Sequence, residues 1–202
     1  IGHRIVHGGT QYVNPVAVND QIQKDLDAMR QLAPLHLPGN LAGVDATTAA
    51  LPDLPQVAVF DTAFHRTMPE RAAQYAIPRS WRDDLGVRRY GFHGTSHHYV
   101  ALQAAVHLKR RLQELELITC HLGNGASVCA IDHGRSVDTS MGLTPLEGLI
   151  MGTRSGDVDP GILVYLARQY DMSIDELDRM LNKESGLLGV SGISNDMREI
   201  SE

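Results

Sequence analysis

The chain has 202 residues, 43% of them hydrophobic and 21% charged, with a formal net charge of −6. That profile supplies apolar material for one sizeable core or two small ones. The acidic balance excludes a general nucleic-acid surface, because binding the phosphate backbone needs a basic face. No apolar run approaches the ~20 residues of a membrane span, and no basic n-region with an apolar h-region opens the chain, so a cytoplasmic protein with no membrane partner is expected. The two cysteines, Cys120 and Cys129, lack zinc spacing and are too few for a disulfide framework, and both are read as core thiols.

In chain order, residues 3–10 (HRIVHGGT) read as a buried strand ending in a double-glycine turn. Residues 18–34 read as a helix with Asp20 as its N-cap, apolar positions at Ile22, Leu26, Met29 and Leu32, and Pro34 as its stop. A loop at 35–40 (LHLPGN) leads into a second helix over 41–51. Residues 56–64 (QVAVFDTAF) form an apolar strand that places Asp61 at its carboxyl end, where open α/β sheets bind ligands. A short helix or turn covers 69–78.

Residues 87–91 read as strand-like and run into a long helix capped at Thr95 or Ser96, with Tyr99, Leu102, Val106 and Leu108 on an apolar face. The period then changes to two. Three strands follow, 115–122, 127–132 and 135–140, joined by a Gly-Asn-Gly turn and a His-Gly turn. A glycine-punctuated loop leads to a helix starting near Pro160. A last helix begins at Ser173 with Glu176 three residues on, a capping box.

Four stretches combine glycine with functional side chains: GHRIVHGG with Arg4, YGFHGTSH with His93, HLGNGAS with His121 and Asn124, and MGTRSGDVDP with Arg154. Glycine lets backbone approach a ligand and form an anion-binding nest, and arginine offers a planar fork to carboxylate or phosphate. The turn at Gly123-Asn124-Gly125 reads either as a phosphate-facing hairpin tip or as an ordinary connector. His93 and His97 have the i, i+4 spacing of a zinc helix, but no glutamate follows His93 and a glycine interrupts the helix. The other reading makes His93 a loop histidine that donates to a charged intermediate, with His97 and His98 bonding locally. Asp61 reads either as a magnesium ligand or as a strand-end cap.

Taken together and in this order, GHRIVHGG, LAPLHLPGN, VAVFDTAFHRTMP, RYGFHGTSH, HLGNGAS, DTSMGLTPLEGLIMGTRSGDVDP and SGISNDMREI resemble the acetate kinase (acetokinase) family over essentially the whole chain. The resemblance implies the fold of sugar kinases, actin and Hsp70: two ribonuclease-H-like α/β lobes around a cleft. Both are incomplete here, with 1–63 the remaining part of the first lobe and 64–202 the first part of the second. It implies reversible, Mg²⁺-dependent phosphoryl transfer between ATP and acetate, giving acetyl phosphate and ADP, and a homodimer through the second lobe.

Carried over onto matching positions, the resemblance implies that Arg4 and Arg154 bracket the carboxylate and the phosphoryl group. His93 and Arg154 stabilise the transition state, and Asp61 acts near the metal or positions the acyl phosphate. His121, Leu122, Gly123, Asn124 and Gly125 meet the nucleotide. Val6, Leu35, Phe92 and Pro145 form the methyl pocket, with His36 beside it.

The family's opening Asn-x-Gly-Ser-Ser-Ser-x-Lys loop and its C-terminal third, with a magnesium-holding glutamate, are not matched, and the chain opens at Ile1. The expectation is therefore a natural N-terminus upstream, and weak nucleotide binding with little activity for the chain alone. Two alternatives stand: a propionate or butyrate kinase of the same fold, with Val6 setting the pocket length, and a non-catalytic nucleotide-binding fragment.

Overall fold

A computed structural model describes residues 1–33 and 36–202. Its first sheet is mixed. Strand β1 (Gly2–Ile5) runs parallel to β3 (Val57–Phe60), and a two-residue strand, β2 (Val16–Ala17), pairs antiparallel on the other edge of β3. Alternation along β3 buries Ala58 and Phe60. Helices α1 (Asp20–Ala28) and α2 (Leu37–Ala50) contribute Leu26, Leu37, Leu41 and Val44 to the same core.

Two helix starts differ from expectation. Asn19, not Asp20, caps α1, its side chain accepting from the Ile22 N–H, and Asp20 sits in the first turn where a negative charge suits the dipole. Helix α2 begins at Leu37, within the stretch expected to be a loop. Pro38 stands in its first turn, where the missing N–H breaks no helical bond.

After a 3-10 turn (Ala63–Thr67) come two short helices, α3 (Glu70–Ala73) and α4 (Arg79–Leu85). Residues 87–91 form no strand. Instead the Tyr90 and Gly91 N–H groups both donate to the Gly142 carbonyl, and Arg89 Nη1 donates to the carbonyls of Thr139, Ser140 and Met141. These bonds fasten the segment that leads into α5 (Gly94–Leu108).

Helix α5 buries a different face from the one its large apolar residues suggest. Tyr99 is 62% and Val106 71% exposed, and Leu102 and Leu108 are exposed too. The buried positions are Gly94, His97, Ala101 and Ala105. Small side chains let the helix lie close to β4, and the second core gathers Ala101, Ala105, Leu112, Leu115, Cys129 and Ile131.

The three expected strands are present as a meander: β4 (Glu116–Leu122), β5 (Ala126–Asp132) and β6 (Arg135–Thr139), with a register shift at Ala130/Ile131. Cys129 is buried as expected, whereas Cys120 is exposed, because its side chain falls on the outer face of β4. Helix α6 (Pro160–Tyr170) is capped by Asp159, and α7 (Ile174–Arg179) carries the Ser173/Glu176 capping box. The last expected helix is divided. A π-helical turn (Met180–Glu184) follows α7, Ser185 takes an extended conformation, and α8 (Gly186–Ser191) and α9 (Met197–Ser201) come after.

Candidate active site

Strand β3 ends at Phe60, so Asp61 emerges at its carboxyl end, as the sequence predicts. The carboxylate is 1% exposed. It accepts from both Arg4 Nε (3.0 Å) and Arg4 Nη2 (2.5 Å), a bidentate fork that leaves the arginine's other side open to solvent. Parallel pairing sets Arg4 opposite Val59 on the neighbouring strand, which brings the two groups together. The pair lifts the Arg4 pKa, chiefly through the hydrogen bond to Asp61.

The Gly91-Phe92-His93-Gly94 loop is shaped by its glycines. Gly91 has φ +72 and lies against the His65 ring and Thr139, with no room for a Cβ. An added Cβ at Gly94 would clash with the Asp61 carbonyl, which accepts the Gly94 N–H at 2.9 Å. Between them His93 takes a left-handed conformation, φ +58, and is itself the N-cap of α5, in place of Thr95 or Ser96. Its backbone N–H points at Asp61 Oδ2 at 3.4 Å.

The His93 ring is held from two sides. Nδ1 lies 2.8 Å from Ser127 Oγ, and the ring stacks on His121 with centroids 4.0 Å apart. Burial first, then the neighbouring His121 and the Arg4, His97 and Arg154 charges, push its pKa down to about 3. His93 is therefore a neutral hydrogen-bonding group at neutral pH. His97 does not bond locally as expected. Its ring reaches across to the second sheet, 2.8 Å from both Thr119 Oγ1 and Ser127 Oγ.

Arg154 completes the arrangement. Its Nη1 donates to the Pro145 carbonyl at 2.8 Å, and among the described residues no carboxylate pairs with it. Burial lowers its pKa, yet a guanidinium stays cationic at neutral pH. A half-buried cation without a counter-ion favours an anionic ligand.

A cleft of about 960 Å³ brings most of the expected residues together. Arg4, Asp61, His93 and Arg154 line it with Val6, His36, Phe92 and Pro145. His121, Gly123, Asn124 and Gly125 form another part of its wall. Leu122 is not part of that lining and is exposed; in β4 it follows the opposite face from His121. Leu35 lies outside the described residues. The cleft also contains Asn40, Thr95, Ser96 and Tyr99, none of which the sequence assigns to a site. Asn40 accepts the Val6 N–H at 2.9 Å, and Thr95 and Ser96 stand in the first turn of α5, where the positive end of the dipole suits an anion.

The donor set bears on which metal fits. His93 and His97 share the Ser127 hydroxyl, and the described residues hold one cluster with metal-ligand geometry, Glu116, Asp132 and His133, all exposed. That cluster is at the end of the β4–β5 hairpin away from Gly123-Asn124-Gly125. Within the cleft the carboxylate is Asp61, with three of its acceptor positions used by Arg4 and the His93 N–H. One carboxylate is enough for a magnesium ion carried mainly on phosphate oxygens and water, and not enough for zinc.

Comparison with known proteins places these features in a family. The model of the acetokinase family matches residues 1–202. The chain is 62% identical to an acetate kinase of Deinococcus radiodurans and 56% identical to one of Halothermothrix orenii, with 100% of this chain and 51% of each relative aligned. Among solved structures it is similar to the acetate kinase of Porphyromonas gingivalis (TM-score 0.92, 50% identity, 99% of this chain and 50% of that one). It is also similar to a propionate kinase from Francisella tularensis (TM-score 0.95, 51% identity, 99% of this chain and 51% of that one). The chain spans about half the length of the curated relatives it matches.

Proposed function

Because the chain belongs to the acetokinase family, we propose that it forms the acyl-binding wall and part of the nucleotide-binding wall of an acetate kinase. The reaction is reversible phosphoryl transfer between ATP and acetate, giving ADP and acetyl phosphate. One observation carries this reading: Arg154, a cation without a carboxylate partner among the described residues, shares a cleft with the neutral His93 and the Arg4–Asp61 pair.

In the forward direction an acetate oxygen forms a bond to the γ-phosphorus and the bridging P–O bond to ADP breaks, the electron pair leaving with ADP. Both reactants are anions, and the proposed task of Arg4 and Arg154 is to hold them together against that repulsion. His93 donates a hydrogen bond to a phosphoryl oxygen. Being neutral, it contributes a dipole and transfers no proton. Asp61 fixes the Arg4 guanidinium and lies where it can meet a metal. Magnesium, when bound, neutralises charge on the phosphate oxygens. His121 and the Gly123-Asn124-Gly125 turn serve the nucleotide phosphates. Val6, Phe92 and Pro145 enclose the methyl group, Leu35 is assigned to the same pocket, and His36 is beside it.

The similarity to a propionate kinase supports a second acyl substrate. Val6 and Phe92 are both buried, so the pocket's depth is set by packed side chains, and one methylene changes selection by about 1–3 kcal/mol. The same proposal includes the two-lobe division at 63/64, a homodimer through the second lobe and a cytoplasmic location. No helix of the described residues is long and apolar enough to cross a membrane. The test is ATP- and Mg²⁺-dependent acyl phosphate formation by the natural full-length protein, trapped as the hydroxamate, with acetate, propionate and butyrate in turn. Turnover that favours acetate supports the reading, and absence of turnover with all three overturns it.

A further inference from the structure

We infer that Ser127, His97 and Thr119 are positioning residues that fix His93 as the tautomer carrying its proton on Nε2. What that proton is for rests on the phosphoryl-transfer reading above; the inference about its place comes from the hydrogen bonds alone.

The four groups form an unbranched chain from the interior to the cleft. Thr119 Oγ1 lies 2.8 Å from His97 Nδ1, His97 Nε2 lies 2.8 Å from Ser127 Oγ, and Ser127 Oγ lies 2.8 Å from His93 Nδ1. Thr119, His97 and Ser127 are all buried. The meander makes this alignment: Ser127 pairs with His121 and Thr119 stands two residues from it on β4, so both hydroxyls face the His97 ring presented by α5.

Each bond in the chain needs one proton, and its direction is set at the buried end. Among the described residues Thr119 Oγ1 has no hydrogen-bond partner besides His97. A buried hydroxyl proton with no acceptor is unfavourable, so Thr119 donates to His97 Nδ1. The buried neutral imidazole of His97 then carries its proton on Nε2 and donates to Ser127 Oγ. The Ser127 proton is left for His93 Nδ1. His93 in turn carries its own proton on Nε2, the ring nitrogen with no partner among the described residues, and His93 lines the cleft. If His93 instead donates from Nδ1, either Ser127 accepts from both rings and its own proton is stranded, or all three bonds reverse and the Thr119 proton is stranded. A donor aimed at a phosphoryl oxygen is thereby selected by a threonine two bonded side chains away from His93.

The experiment is long-range proton–nitrogen NMR at neutral pH on the full chain labelled with 15N-histidine, the His93 signals being identified by their loss in His93→Gln. The expected result is a single Nε2–H tautomer for His93. In Thr119→Val, which keeps the shape and removes the donor, and in Ser127→Ala, the Nδ1–H form is expected to appear, while the His65 signals stay in place. A wild-type His93 protonated on Nδ1, or present as a mixture, overturns the inference. So does a single unchanged tautomer in both folded variants. Should neither variant fold, the wild-type spectrum alone decides. Phosphoryl transfer unaffected by His93→Ala would remove the catalytic reading and leave the tautomer result standing.

Discussion

His93 and Arg154 both border Gly125: a Cβ built on that glycine would lie 3.6 Å from His93 Cε1 and 3.4 Å from Arg154 Nη1. The hairpin tip between β4 and β5 thus lies against a neutral donor and a cation that no carboxylate pairs among the described residues. Gly125 is a spacer whose missing side chain keeps the two groups accessible from the cleft.

Gly125→Ala is accordingly expected to fold normally, since both distances are ordinary van der Waals contacts. Its methyl occupies the space where a phosphoryl oxygen would meet both groups, and phosphoryl transfer should fall by roughly tenfold or more. Gly91→Ala is the contrasting case. At φ +72 its Cβ would collide with the buried Thr139 and His65 side chains. Thermal melts beside steady-state rates separate the two: an unchanged melt with reduced rate for Gly125→Ala, and a lowered melt for Gly91→Ala.

Removing Arg4 leaves the buried Asp61 carboxylate with the His93 N–H as its remaining partner. Arg4→Ala should destabilise the chain by about 1–3 kcal/mol, less than for a fully buried pair, because the arginine side chain is 63% exposed. Arg4→Lys keeps the charge but not the fork and should fall between. Urea denaturation at neutral pH measures both.

Acid should unfold the chain early. His7, His65 and His97 are buried, and desolvation holds each pKa at about 4, against 6.5 when unfolded. Above pH 6.5 both states leave these rings neutral and stability is independent of them. Between about pH 6.5 and 4 the unfolded state binds protons that the folded state refuses, so stability falls as pH falls, by roughly 3 kcal/mol per ring. Denaturant midpoints should be level from pH 7.5 to about 6.5 and decline from there down to 4.5; a flat profile over the whole range would contradict the burial of these rings.

The two cysteines should react differently. Cys120 is exposed, while Cys129 is buried beside Ser136 and its thiol is raised to about 11, mainly by burial. A maleimide added at neutral pH should label one thiol per native chain and two after denaturation. Cys120→Ser should abolish the native label.

Much of this was legible in the sequence where one local rule dominates. The β4–β6 meander follows from period-two alternation, and the Ser173/Glu176 cap from side-chain spacing. Asp61 at a strand end, Phe92 and His93 of the GFHG loop and Arg154 all line one cleft. What the sequence hid depends on tertiary contact. Helix α5 turns Tyr99 and Val106 outward because Ala101 and Ala105 permit close approach to the sheet. The two-residue β2 is too short to show a period. Ser127 and Thr119 read as ordinary strand residues, and their relation to His93 exists only because His97 lies between them; the paired histidines of "HGTSHH" were the one available signal.

If the cleft stabilises a phosphoryl group in transfer, as proposed, kcat for Arg154→Ala in the natural full-length protein at saturating ATP, Mg²⁺ and acetate shows it most directly. Loss of a cation that acts on transition-state charge should lower kcat by about 10²-fold or more with the melting temperature little changed. A folded variant that turns over at the wild-type rate would contradict the account.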